Sequence, residues 1–327
     1  MSAVEIDAVV AKGAAFLRKR LRSGVYGLSV VGRDTARASD NSGHIFAAAF
    51  IAEAMTGLLD EIDRSLILVR ILSEENEGLW GYSPPERCHR EQSLMLHVDS
   101  DDSAYALRTL QRLGINRPPT RLLSFYRKPE RMFVTFDSPA PPSLTTDVSV
   151  AHNLLAHPEV NANIFLALQG THLEEFVNYD VLLQSQHENG FWPSYFYPSP
   201  LFGTQLALDV FHAKAEFAGP VARALSFIVQ TQNADGSWGT QSDPYEAALA
   251  VAALAGRPEH KTAMDAGVDY LLSSMAPDGS WASQACVWEF QAGEGDVWRA
   301  FDVHRVYVTA RCLTALRRST GALSVVS

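Results

Sequence analysis

The chain has 327 residues, 47% of them hydrophobic, and a formal charge of −10 from 27 Lys and Arg against 37 Asp and Glu. This composition can bury a large core and excludes disordered and fibrous classes, while the acidic balance argues against a nucleic-acid partner, which demands a basic face. Three widely spaced cysteines, Cys88, Cys286 and Cys312, make neither a disulfide framework nor a CxxC zinc pattern and fit a reducing, cytoplasmic setting. No stretch approaches the 18 apolar residues of a transmembrane segment, and the opening MSAVEIDAVV lacks the basic start of a signal peptide.

A Gly-x-aromatic step recurs along the chain at Gly24 to Tyr26, Gly78 to Trp80, Gly190 to Trp192, Gly236 to Trp238 and Gly279 to Trp281. The glycine spacings are 54, 112, 46 and 43 residues, so the long interval holds one further copy, near Phe133, that has lost its Gly and Trp. Before the turns run amphipathic stretches such as Phe176–Gln186 and Ala222–Gln232. After them come helices of small and apolar residues, expected at Ala47–Met55, Ala104–Leu113, Val150–Leu155, Leu206–Phe211, Ala247–Leu254 and Ala310–Leu316. Helices apolar on most sides are buried and striped ones face solvent. Six such pairs predict an all-α fold, an (α/α)6 double barrel formed by residues 1–327 as one domain. Only Val134–Phe136 is expected to be locally extended.

Gln186 and Gln232 complete the pattern QxxxGxW, with Arg20, Glu74 and Met275 at the matching place in other copies. The pattern resembles the QW repeats of the terpene cyclase and protein prenyltransferase superfamily, which includes squalene-hopene cyclase and the class II terpene cyclases. The resemblance implies that each Gln closes an outer helix and stacks on the Trp of the turn.

Aligning the inner helices on one another puts Asp40, Asp99, Asp147, Pro200, Asp243 and Arg305 at the first position, where a carboxylate has a plain structural use as a helix cap. Two positions later stand Ser42, Asp101, Ser149, Phe202, Tyr245 and Tyr307; the next position holds Asp102 and Glu246 among others. Capping explains Asp99 and tolerates Asp102, but three carboxylates within four residues exceed what a helix start needs. Asp99 to Asp102 is similar to the DxDD motif of class II terpene cyclases. The resemblance implies that Asp101 is the general acid that protonates an alkene, supported by Asp99 and Asp102, and that the following inner helix supplies a partner; that helix offers Asp147, Ser149, His152 and Asn153, of which His152 is the choice. Such an acid must stay protonated, which burial and neighbouring negative charge favour.

Loops at this end of the barrel bring together aromatic groups able to stabilise a cation, among them Tyr195, Phe196, Tyr197, Phe202, Tyr245, Trp288, Phe290, Trp298, Phe301 and Tyr307. Basic candidates for a diphosphate are Arg33, Arg37, Arg127, Lys128, Arg131, Arg299 and Arg305. The substrate-binding set expected is Tyr245, Tyr307, Phe202, Trp288, Trp298, Phe301, Arg305 and Arg299. The reading is protonation-initiated cyclisation of an isoprenoid, a prenyl diphosphate of sesqui- or diterpene size, with no metal site of its own; Mg²⁺ would arrive only with a diphosphate. Class II cyclases usually carry a second helical domain, for which this chain has no length, so a homodimer, a partner subunit or the loop from Ser283 to Trp298 would complete the pocket. Two alternatives stay open. One is a prenyltransferase-like protein, although Asp302, His304 and Cys312 do not reproduce its zinc ligands; the other is a non-catalytic isoprenoid-binding barrel or partner subunit.

Overall fold

The computed structural model describes residues 3–31, 39–82, 98–136, 157–291 and 297–324. Its elements in chain order are α1 (Ala3–Ser23), β1 (Leu28–Val31), β2 (Ser39–Ser42), α2 (His44–Ala54), α3 (Glu61–Ser73), α4 (Ser100–Arg112), β3 (Tyr126–Arg127), β4 (Met132–Phe133), α5 (Pro158–Leu168), α6 (Asp180–Ser185), α7 (Pro200–Val210), α8 (Ala218–Gln230), α9 (Pro244–Leu254), α10 (Lys261–Ser273), β5 (Cys286–Gln291), β6 (Val297–Phe301) and α11 (Val306–Ser319).

Helices α2, α4, α5, α7, α9 and α11 pack each on the next, and α11 closes on α2, giving an inner ring of six. Outside it, α3 lies on α2, a 3₁₀ segment (Pro119–Phe125) on α4 and α5, α6 on α5, α8 on α7 and α9, α10 on α9 and α11, and α1 on α11 and α3. The expected double barrel is therefore the observed fold. The ring helices are buried nearly all round, α2 at every residue, and their alanines let neighbours approach closely.

The repeat turns explain the stapling of the two layers. The turn glycines take φ of 73° to 96°, the left-handed region. At Gly190, Gly236 and Gly279 a Cβ would collide with the backbone carbonyls of Arg223, Ala266 and Lys12 on the next outer helix. Trp80, Trp192, Trp238 and Trp281 are fully buried, and each indole Nε1 donates at 2.7 Å to a carbonyl of the preceding outer helix, those of Ile71, Leu182, Ile228 and Leu271. Inner-helix hydroxyls accept the backbone N–H of the tryptophan, as Ser103 does for Trp80 and Thr204 for Trp192. Both glutamines of the pattern are held by hydrogen bonds. Gln186 donates to Gly190 O and Pro220 O, and Gln232 to Gly236 O and Ala263 O, so each Gln ties its turn to the following outer helix. The degenerate copy is at Phe133: its N–H donates to Asn161 Oδ1 at 3.0 Å as a tryptophan's would to Ser or Thr, and Arg131 holds the glycine place at φ 52°.

Three expectations need correction. The third ring helix runs over Pro158–Leu168, capped by His157, while Asp147, Ser149 and the helix expected at Val150–Leu155 lie outside the described residues. The first ring helix is capped by Gly43 rather than Asp40. Ile45 and Glu159 therefore take the position of Asp101 in those copies, in place of Ser42 and Ser149. Strands are also more extensive than a single extended patch: β2, β1, β6 and β5 form an antiparallel sheet in that order, and β3 pairs with β4. This sheet precedes α2 and α11 in the chain and so lies at the N-terminal end of the ring. The far end is closed by buried charge, where Arg318 meets Glu53 at 2.8 Å and Asp209 at 3.0 Å. Burial pushes Glu53 up, yet Arg318 and neighbouring arginines hold it at about 2.

Candidate active site

At the N-terminal end of the ring a recess of about 490 Å³, open to solvent, is lined by Phe46, Tyr82, Asp99, Asp101, Asp102, Thr135, Phe136, Phe196, Tyr197 and Trp288. Local hydrogen bonding fixes the acidic segment. Asp99 caps α4 by accepting from Asp102 N at 2.7 Å and donates its own N–H to Trp80 O, while Ser100 donates N–H to Thr135 O and its hydroxyl to Val134 O. The helix start is thus held between a repeat turn and the segment leading to Phe136.

Asp99 and Asp102 are buried and Asp101 is half-buried. Burial raises Asp99 well above the usual carboxylate range, and the charge of Asp102 adds to it. Burial and then the charge of Asp101 push Asp102 up to about 7. Asp102 is tied to Asp99 through its backbone N–H, and burial with the neighbouring carboxylates favours the protonated form of both side chains. Asp101 is different. Burial raises it to about 6, opposed by hydrogen bonds from Asn163 and Tyr197. Asn163 Nδ2 donates to Asp101 Oδ1 at 2.8 Å and to its carbonyl at 3.0 Å, and Tyr197 OH donates to Oδ2 at 2.8 Å. Arg108, two turns along α4, donates to Asn163 Oδ1 at 2.7 Å and so fixes which edge of the amide faces the carboxyl. Tyr197 stacks on Phe202 with ring centroids 3.7 Å apart. Its loop is anchored by Glu159, whose Oε1 accepts from Tyr195 N at 2.7 Å and Phe196 N at 2.9 Å.

The sequence-expected groups divide into those the fold gathers and those it does not. Asp99, Asp101, Asp102 and Trp288 line the recess, Trp288 reaching it from β5 within the Ser283 to Trp298 segment and meeting Tyr82 edge-on at 5.0 Å. Phe202, Tyr245 and Tyr307 are at most 1% exposed. They form a layer beneath: Phe46 stacks on Tyr307 at 5.2 Å, and the Tyr245 and Tyr307 hydroxyls lie 3.5 Å apart. Trp298 is buried on β6, Phe301 pairs with Ser29 and Cys286 in the sheet, and neither lines the recess. Arg299 is exposed and ion-paired with Glu289 at 2.7 Å. Arg305 is exposed and caps α11 in the left-handed region, with its side chain toward Ser280. Neither arginine is at the recess. His152, Arg33 and Arg37 lie outside the described residues. Asn163, the group on the following ring helix that meets Asp101, was missed. Its signal was one of two amides, Asn161 and Asn163, within the otherwise apolar run from Val160 to Leu168.

Among the described residues no group of three or more His, Cys, Asp or Glu side chains could hold a metal ion. Asp302 is occupied as a cap, accepting from Val306 N and Val308 N, and the Cys312 thiol donates to Pro244 O, so the zinc set of a prenyltransferase is not assembled. No helix among the described residues is long and apolar enough to cross a membrane.

No family model matches the chain. A drimenyl diphosphate synthase from Streptomyces showdoensis is 28% identical, over 61% of this chain and 39% of that enzyme, so the chain spans well under half of the relative's length. The type II terpene cyclase MstE from Scytonema superposes with a TM-score of 0.75 at 17% identity, over 99% of this chain and all of that one; it has also been solved with geranylgeranyl dihydroxybenzoate as substrate. An ent-copalyl diphosphate synthase from Streptomyces platensis gives a TM-score of 0.63 at 22% identity, over 85% of this chain and 50% of that one. At these identities the solved structures fix the fold, and the chain has the helical fold of the terpene cyclases.

Proposed function

We propose that this chain is a class II terpene cyclase in which Asp101 protonates a terminal double bond of an isoprenoid. The observation that carries the reading is the contrast within one helical turn, where Asp99 and Asp102 are buried and bonded to each other while Asp101 faces an aromatic recess with its oxygens held by Tyr197 and Asn163. The similarity to drimenyl diphosphate synthase and to MstE supports it.

In this mechanism burial raises Asp101 to about 6, so that a share of the sites carries the proton near neutral pH and that share is the reactive form. Proton transfer breaks the acid's O–H bond, and the alkene π pair forms the new C–H bond, leaving a tertiary cation and a carboxylate. The donors on both oxygens stabilise that carboxylate as charge develops, which makes the acid strong enough to act on carbon without ionising it beforehand. The faces of Phe46, Phe196, Tyr82 and Trp288 stabilise a passing cation by about 0.5–2 kcal/mol each and are weak nucleophiles. Ring closure follows as further double bonds attack the cation.

The expected substrate is a prenyl diphosphate of sesqui- or diterpene size. Incubation with farnesyl diphosphate, geranylgeranyl diphosphate and squalene, with phosphatase treatment and mass spectrometry, tests this. A cyclic product absent from Asp101→Asn supports the reading; acyclic alcohols alone, from folded wild type, contradict it.

A further inference from the structure

A carbocation cascade that ends in an alkene must give up a proton to a group within the recess, and the three acidic side chains are poorly suited to take it. Asp99 is occupied as the cap of α4, accepting from Asp102 N, and both it and Asp102 are buried, which favours their protonated forms. Asp101, having delivered its proton, has both oxygens engaged by Asn163 and Tyr197. Across the recess wall stands a polar pair outside the acidic motif. Thr135 lines the recess, and its Oγ1 lies 2.8 Å from Nδ1 of His157. Both residues are buried, at 3% and 4% exposure.

The geometry of His157 is not explained by helix structure. It is the N-cap of α5, a position favoured by Ser, Thr, Asp and Asn because their side chains accept a backbone N–H, yet its imidazole makes no cap bond. The ring is instead clamped, stacked on Tyr195 at 4.4 Å and edge-on to Phe196 at 4.9 Å, which aims Nδ1 at Thr135. Thr135 is fixed in turn, since its carbonyl accepts from Ser100 N at 3.0 Å, tying it to the start of the acidic helix. A hydroxyl and an imidazole are therefore held in register at the wall of the recess that carries the acid.

We infer that Thr135, backed by His157, is the proton acceptor that ends the cascade; this rests on the cyclase reading above. A C–H bond beside the final cationic carbon breaks and its electron pair becomes the alkene π bond. The proton goes to Thr135 Oγ1 as the hydroxyl passes its own proton to His157 Nδ1. The imidazolium then loses a proton to solvent, which balances the one that Asp101 regains, so the net reaction is an isomerisation. Thr135 is the catalytic residue of this step and His157 acts through it.

The test compares the products of wild type, Thr135→Val, His157→Gln and Asp101→Asn on the same isoprenoid panel, together with the ¹⁵N shift of His157 in the wild-type protein. The expected result is that Asp101→Asn gives no cyclic product. The two other variants are expected to keep the ring skeleton while the share of the wild-type alkene falls at least tenfold in favour of isomeric alkenes or an alcohol. Nδ1 is expected to be unprotonated in resting enzyme, and this readout needs no substrate. Unchanged product partition in both variants, a slower reaction giving the same alkene, a wild-type product that is an alcohol, or a protonated Nδ1 that donates to Thr135 would each overturn the inference and leave the acid reading intact. Failure of wild type to cyclise any substrate would instead remove the cyclase reading, and the inference with it.

Discussion

The starts of α4 and α9 share one device and use it for opposite ends. Each opens on an aspartate cap, Asp99 accepting from Asp102 N and Asp243 from Tyr245 N at 2.8 Å. In α9 the second position is Tyr245, fully buried, and the third is Glu246, bonded to Ser199 Oγ at 2.6 Å. Asp243 is further tied by Ser283 Oγ at 2.7 Å. That helix start is a plug. In α4 the second position is an acid facing the recess, and the third, Asp102, donates its backbone N–H to the cap while its side chain lines the recess. The lesson is that a repeat supplies a helix terminus of fixed geometry, and a single side chain two residues past the cap decides whether it fills the barrel or works at its mouth.

Several substitutions would break this comparison, beginning with the largest effect. Asp101→Asn is expected to lower turnover by about 1,000-fold or more, as removal of an essential general acid does, whereas Asp243→Ala is expected to leave the product unchanged. The product assay proposed above reads both. Next, Tyr197→Phe and Asn163→Leu each remove a hydrogen bond that favours the ionised acid, so the pKa of Asp101 should rise. Turnover should fall about 10- to 100-fold at its optimum while the high-pH limb moves upward. A limb that stays in place with unchanged turnover would mean these groups do not tune the acid.

Stability sharpens the contrast further. Asp101, raised to about 6, binds its proton more tightly folded than unfolded, so its contribution is fully present below about pH 4 and is lost as pH rises through about 6. Asp101→Asn escapes that loss and should be more stable than wild type at pH 8 by about 1–2 kcal/mol, and less so at pH 4. Denaturant titrations at the two pH values measure it. The smallest effect is expected from Asp243→Ala, where loss of a cap costs about 1 kcal/mol at either pH.

The repeat made the barrel legible because each turn needs a glycine in the left-handed region and a large ring beneath it. Even the degenerate copy could be located, since Phe133 sits where a tryptophan would. The third ring helix was misplaced because Asp147 imitated the aspartate caps of α4 and α9, whereas the true cap, His157, is a poor capping residue. The strands escaped notice because they are short and pair across the chain, β1 with β6 from nearly opposite ends. The acidic segment from Asp99 to Asp102, with Asp101 at its centre, was legible as an excess of charge over the repeat. Its partners were not, because Asn163 lies 62 residues away and Tyr197 96, and only closure of the ring brings them to one carboxyl. Tyr245 and Tyr307 stand two residues past their caps as Asp101 does, and Phe202 three past its cap Ser199, and all three rings are buried in the core.

The most direct test is the product assay on wild type and Asp101→Asn, folded to the same degree, with farnesyl diphosphate, geranylgeranyl diphosphate and squalene. The account predicts a cyclic product from at least one substrate with wild type and none with the variant. A cyclic product formed equally by both proteins would contradict the central role given to Asp101.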